Sequence, residues 1–147
     1  TSVRGRICYQ MQEICITART GSDLETFRRF LEENRVPTVL ISPHQADDPL
    51  IQGVRLATMH RIKGLEFKVI FMINMSRGTM PLEIADTDDE LERQRRLTSE
   101  RCLFYVAATR ARDRLYITSR REDSVFLQEM RSAICADGTG EPADPQN

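Results

Sequence analysis

The sequence predicts an α/β domain of the doubly wound kind, a mainly parallel sheet with flanking helices. Three observations carry that prediction. Short runs rich in β-formers alternate with amphipathic stretches along most of the chain. The first amphipathic stretch lies between two strand-like runs, the order of a right-handed parallel crossover. Lys68 to Met75 is the most apolar run and is expected at the centre of the sheet. With 147 residues, 40% of them hydrophobic and 29% charged, the chain is large enough for one such domain with its own core.

Residues 1–12 carry no decisive pattern and read as the tail of a helix entering from upstream. Glu13 to Ala18 is a short buried strand, followed by the turn Arg19-Thr20-Gly21. Ser22 with Glu25 three residues on forms a capping box and opens a helix. Leu24, Phe27, Phe30 and Leu31 supply its apolar face as far as Glu33. Asn34 is its C-cap, and Pro37 excludes continuation. Val39 to Ile41 is the second strand, Pro43 to Gly53 a polar loop and Val54 to Met59 the third strand. His60 to Glu66 is irregular and centred on Gly64. After the fourth strand, Lys68 to Met75, a loop runs from Ser76 to Ile84. Thr87 and Glu90 then form a second capping box, opening a long helix that leads to Arg110. Leu103, Val106 and Ala107 share a face of that helix, with Arg110 one turn further along. Leu115 to Thr118 is the fifth strand and Ser124 to Ile134 a short helix. The tail from residue 137 is rich in Gly, Pro and acids and is expected to be disordered, so the domain is expected over residues 1–136.

The net charge of −1 argues neither for nor against a nucleic-acid partner, but the charges are unevenly spread. Five acids lie between Asp86 and Glu92, and nine arginines against only Glu100 and Asp113 between Arg93 and Arg121. Such blocks are solvated faces or a basic surface beside an anion. Cys8, Cys15, Cys102 and Cys135 form no C-x-x-C pair, and His44 and His60 lie apart, so no metal site is expected. Unpaired thiols suit a reducing compartment, and a cytoplasmic location is expected. No apolar run approaches a membrane span and no signal-peptide core is present, so no membrane partner is expected.

Two stretches could carry chemistry. Ala57 to Phe67 (A-T-M-H-R-I-K-G-L-E-F) follows a strand, and ligands of open α/β sheets bind outside the carboxyl ends of strands. It gathers a hydroxyl, an imidazole, an ammonium and a carboxylate on Thr58, His60, Lys63 and Glu66. Singly, each has a plainer reading: a packed histidine, an ordinary Lys-Gly turn, a solvated glutamate. Thr98 to Ser119 begins as helix and ends as strand. It puts Arg110 near the C-terminal end of the helix, where a cation suits the macrodipole and can meet an anion from another domain. A lone arginine in that place is most often a surface residue.

Together the strings A-T-M-H-R-I-K-G-L-E-F-K-V-I-F and S-E-R-C-L-F-Y-V-A-A-T-R-A-R-D-R-L-Y-I-T resemble motifs V and VI of the UvrD/Rep-type superfamily 1 DNA helicases, in order and in separation. Ile14 to Arg19 followed by a helix resembles motif IV. The resemblance runs from Glu13 to Thr118. It implies a RecA-like (P-loop NTPase-like) fold and the second, C-terminal motor domain of an ATP-dependent 3′-to-5′ DNA helicase or translocase, of the kind used in DNA repair. In that family ATP and its Mg2+ lie between two such domains, and the first supplies the phosphate-binding loop and the metal carboxylates. Carried onto this chain, Arg110 matches the motif VI arginine and Arg19 the motif IV arginine, both directed at the γ-phosphate. Glu66 matches the ribose contact, with Gly64 in the same nucleotide-binding loop. Thr58, His60 and Lys63 match positions beside single-stranded DNA and the interdomain cleft. The partners implied are single-stranded DNA and the N-terminal motor domain of the same protein. An arginine supplied across a cleft neutralises charge on the transferring phosphoryl group only when the cleft shuts.

The match departs from the family in three places. Ala18 stands where an aromatic usually precedes the motif IV arginine, which puts base stacking there in doubt. Ser76 and Arg77 stand where acids are often found. Only Pro43 to Gly53 separate motifs IV and V, leaving no room for the accessory domain that many members insert. No G-x-x-x-x-G-K-[ST] string occurs, so the RecA-like domain is expected to lack its own phosphate-binding loop. Asp88-Asp89-Glu90 reads as a complement to a helix dipole rather than a metal pair. The chain is thus expected to be half of an ATPase, inactive by itself and active within a longer protein. The alternative is a non-catalytic helicase-like module that binds nucleic acid or a protein; the retained Arg19, Glu66 and Arg110 argue against it.

Overall fold

A computed structural model describes residues 8–83 and 89–136. Five strands, β1 (Ile14–Ala18), β2 (Thr38–Leu40), β3 (Val54–Thr58), β4 (Phe67–Met72) and β5 (Ala111–Ile117), form one sheet in the order β2-β3-β1-β4-β5. Every pairing among them is parallel. The helices are α1 (Gly21–Glu33), α2 (Glu90–Ala108) and α3 (Val125–Ala136). This is the α/β fold that the alternation predicts. The centre of the sheet, however, is β1 and not β4. Both strands are interior, and a run buried on two faces looks equally apolar in second or third place.

Residues along the strands alternate between two cores. Cys15, Ala57, Ile70 and Met72 pack with Phe104 and Ala107 of α2 and with Phe126 and Leu127 of α3. Ile16, Ala18, Leu56 and Ile73 pack with Leu24 of α1, flanked by Phe27 and Leu31. Cys15 is wholly buried, and that burial, reinforced by the Asp47 charge, pushes its thiol far up. All four cysteines are free, and the other three are exposed. The polar loop before β3 closes over Arg55, whose side chain is fully buried.

Several boundaries differ from expectation for identifiable reasons. α1 is capped by Thr20, whose hydroxyl accepts the Asp23 N–H at 3.4 Å, so Ser22 of the expected capping box is already helical. α2 is capped by Asp89, whose carboxylate accepts the N–H groups of Leu91 and Glu92. Thr87, the expected cap, lies outside the described residues, as does the tail from residue 137. β4 stops at Met72 rather than Met75 because Asn74 adopts a left-handed conformation with φ 56°. β5 begins at Ala111, ahead of the expected Leu115, through exposed Arg112, Asp113 and Arg114. An edge strand tolerates such charges, which also discourage further pairing. The buried stripe of α2 is Glu100, Phe104, Ala107 and Ala108; of the expected face, Ala107 is buried in it and Leu103 packs partly buried against the same core, while Val106 does neither.

Candidate functional site

Because the strands are parallel, their carboxyl ends share one edge of the sheet and their amino ends the other. The residues singled out from the sequence divide between these edges.

At the carboxyl edge, Arg19 leaves β1 beside the end of β3, where Ala18 registers with Thr58 and accepts the Met59 N–H at 2.9 Å. Its guanidinium is committed. Nε donates to both carboxylate oxygens of Glu100, at 3.1 and 2.9 Å, and Nη2 donates to Oε1 at 2.7 Å. The Leu82 N–H donates to Oε2 of the same carboxylate at 3.1 Å. The two side chains are only 14% and 10% exposed. Burial pushes the Glu100 carboxyl up. The hydrogen bonds from Arg19 and Leu82, with the charges of Arg19 and His60, outweigh that push and hold it below the usual carboxylate range. His60 lies in the same field. Partial burial, then the Arg19 charge, keep its imidazole below its ordinary value despite the opposing influence of Glu100.

The polar links continue along this edge. The Thr20 hydroxyl donates to Asp23 at 2.9 Å, Asn74 Nδ2 donates to Asp23 at 3.2 Å, and the Ser76 hydroxyl donates to Asn74 Oδ1 at 3.0 Å. The Arg120 N–H donates to Ser76 Oγ at 2.8 Å, tying the ends of β1, β4 and β5 together. Beside them Asn74, Ser76, Arg77, Thr79, Arg120 and Arg121 line a hollow of about 430 Å³.

The loop over residues 59–66 carries the chain back to the amino edge. Buried Ile62 anchors it, with Leu65 packed on the same core, while Lys63, Gly64 and Glu66 are exposed. Gly64 has φ 83° and nothing within 4 Å of where a Cβ would stand, so backbone conformation, not space, calls for glycine there. Phe67 then starts β4, its N–H donating to the Arg110 carbonyl at 3.1 Å, which brings the backbone of Glu66 beside that of Arg110 at the amino edge. Arg110 follows the C-cap Thr109 and precedes β5, close to the helix end as expected. Its Nε is buried and has no hydrogen-bond partner among the described residues.

The structure thus brings Arg19 together with Thr58 and His60, and Glu66 with Arg110. It does not bring Arg19 to Arg110, the two arginines expected on one γ-phosphate. Arg19 follows β1 whereas Arg110 precedes β5, and nine residues of α2 and its cap, about 15 Å along the helix, separate Glu100 from Arg110. Sequence reasoning missed Glu100 and Asn74. A signal for Glu100 exists: it lies four residues before Phe104 and seven before Ala107, in phase with the apolar stripe. Asn74 offers only the general tolerance of asparagine for left-handed backbone. Among the described residues no group of three or more His, Cys, Asp or Glu could hold a metal ion, and no helix is long and apolar enough to cross a membrane.

Known proteins match the same stretch. A family model for the UvrD-like helicase C-terminal domain matches residues 41–122, which include the loop after β3 and Arg110. A protein of Mycoplasma capricolum named as a probable DNA helicase II homolog is 37% identical over 101 residues, covering 68% of this chain and 12% of that protein. The ATP-dependent DNA helicase PcrA of Leuconostoc citreum is 44% identical over 67 residues, covering 46% of this chain and 8% of its own length. The chain therefore spans only about a tenth of the length of such relatives. A crystal structure of the C-terminal domain of a possible DNA helicase from Lactobacillus plantarum WCFS1 has a TM-score of 0.54 and 22% identity, covering 78% of this chain and 60% of that one, a likeness of fold alone. With the family model matching more than half of its residues, the chain belongs to the UvrD-like helicase C-terminal domain family.

Proposed function

We propose that this chain is the second motor domain of an ATP-dependent DNA helicase or translocase, with its work divided between the two edges of the sheet. The amino edge meets the nucleotide: Arg110 takes the γ-phosphate, Glu66 the ribose, and Gly64 turns the loop that leads into Glu66. The carboxyl edge and the loop after β3 meet single-stranded DNA through Thr58, His60 and Lys63. Arg19, bound to Glu100, belongs to the DNA side.

The observation that carries this reading is the buried Nε of Arg110, which has no partner among the described residues. A buried polar group left without a partner costs about 1–3 kcal/mol, more when it is charged, and such groups are uncommon. A phosphate arriving across a closing cleft supplies the missing acceptor and receives a cation where charge develops. Mg2+ and the phosphate-binding loop belong, on this reading, to the N-terminal motor domain of the same protein. The arginine-lined hollow beside Asn74 supports a polyanion at the carboxyl edge. A translocase must accept any sequence, so its contacts fall on phosphate and sugar more than on base edges. Four free thiols fit a reducing cytoplasm.

In the complete protein, single-stranded DNA should raise ATP turnover, while the purified 147-residue chain should hydrolyse none. Turnover by the chain alone, or turnover of the complete protein that ignores DNA, overturns the proposal. Lys63→Ala should lower the salt slope of oligonucleotide binding by about 0.7 on a log–log plot, equally for different sequences. A slope identical to wild type would remove this loop from the DNA path.

A further inference from the structure

We infer that Glu100 is a positioning residue that couples the two edges of the sheet: through Arg19 it ties the loop that meets single-stranded DNA to the helix that leads to Arg110. The inference rests on the function proposed above. Two parts of the chain converge on this one carboxylate. Arg19 reaches it from the end of β1 and the Leu82 N–H from the loop before α2. Glu100 itself belongs to α2, a continuous helix over Glu90–Ala108, and Arg110 lies two residues beyond that helix. A displacement of the Glu100 carboxylate is therefore a displacement of the rod that presents Arg110.

Arg19 is built to transmit such a displacement. Two of its nitrogens, Nε and Nη2, hold Glu100, and Nη1 makes no hydrogen bond among the described residues. It stands near an imidazole kept below its ordinary protonation range. A backbone phosphate passing the carboxyl edge can take Nη1 and the imidazole N–H. The guanidinium is rigid and planar, so a ligand drawing on one nitrogen turns the whole fork and the carboxylate with it. A buried ion pair is in itself weak support for stability, and setting the register between elements is the better attested use of one.

The test is steady-state ATP turnover of the complete protein with and without a thymidine oligonucleotide, alongside oligonucleotide affinity. Glu100→Gln keeps the shape and removes the charge. It should cut the ratio of DNA-stimulated to basal turnover by about tenfold, within the usual size of coupling between sites, while affinity moves much less. Arg19→Lys, which retains charge but not the fork, should cut the same ratio. Adding His60→Ala to Glu100→Gln should cut it no further, since both act on one connection. Equal loss of basal and stimulated turnover in Glu100→Gln would mean that the pair only holds the fold, and the inference fails. Should that variant not fold, an unchanged ratio in folded Arg19→Lys overturns it. Wild-type turnover indifferent to DNA would remove the proposed function itself, and the inference with it.

Discussion

Arg55 and Arg110 both carry guanidinium nitrogens withdrawn from water, and the fold treats them in opposite ways. Arg55 in β3 is answered on every arm. Its Nε donates to both oxygens of Asp47 at 3.0 and 3.2 Å, Nη1 to the carbonyls of Ile51 and Gly53 at 2.6 and 2.8 Å, and Nη2 to the carbonyl of Asp48 at 2.6 Å. All of these partners lie in the loop just before its own strand. At Arg110 the Nε is buried with no acceptor among the described residues. One arginine finds every partner within that loop, and the Nε of the other finds none among the described residues. Burial alone therefore does not separate the two; the tally of partners does.

The comparison can be broken by experiment. The largest expected effect is on catalysis: Arg110→Ala in the complete protein should lower kcat by about 10³-fold while weakening ATP binding far less. Arg110→Lys should not restore it fully, because a point charge lacks the planar fork. Steady-state kinetics with an unchanged kcat would place Arg110 beside Arg55 as a structural residue. Next comes stability. Arg55→Met strands Asp47 and three carbonyls and should cost about 3 kcal/mol in urea unfolding, at the low end for a broken buried pair because Asp47 keeps some contact with water. The smallest effect sharpens the contrast. Arg110→Met has no Nε hydrogen bond to lose and should shift the same unfolding curve by no more than about 1 kcal/mol in either direction. A loss as large as that of Arg55→Met would erase the distinction.

Much of the fold is legible in the sequence because periodicity reports local burial. The alternation locates all five strands and three helices, and the motif strings place Arg110 just past the end of α2. What periodicity does not report is which strand neighbours which, so β1 and β4 could not be ranked. The pairing of Arg19 with Arg110 comes from the family resemblance and not from periodicity; in a parallel sheet a residue after β1 and a residue before β5 stand at opposite edges. The two buried ionic residues were illegible for a related reason. Glu100 and Arg55 belong to residue types that default to solvent. The partner that brings Glu100 inside lies 81 positions away in the chain. Arg55 sits in a five-residue strand whose other members already explain its burial.

The place of Cys15 gives the molecule an internal clock. It occupies the central strand, is wholly buried, and holds its proton tightly. A thiol reagent attacks the thiolate, so Cys15 stays silent until the core between the sheet and helices α2 and α3 opens. Cys8, Cys102 and Cys135 are exposed and are consumed first. The kinetics of labelling then divide into a fast phase from the surface thiols and one slow phase from the core. Where reclosing outruns labelling, the slow phase reads the free energy of opening the centre of the domain, without denaturant.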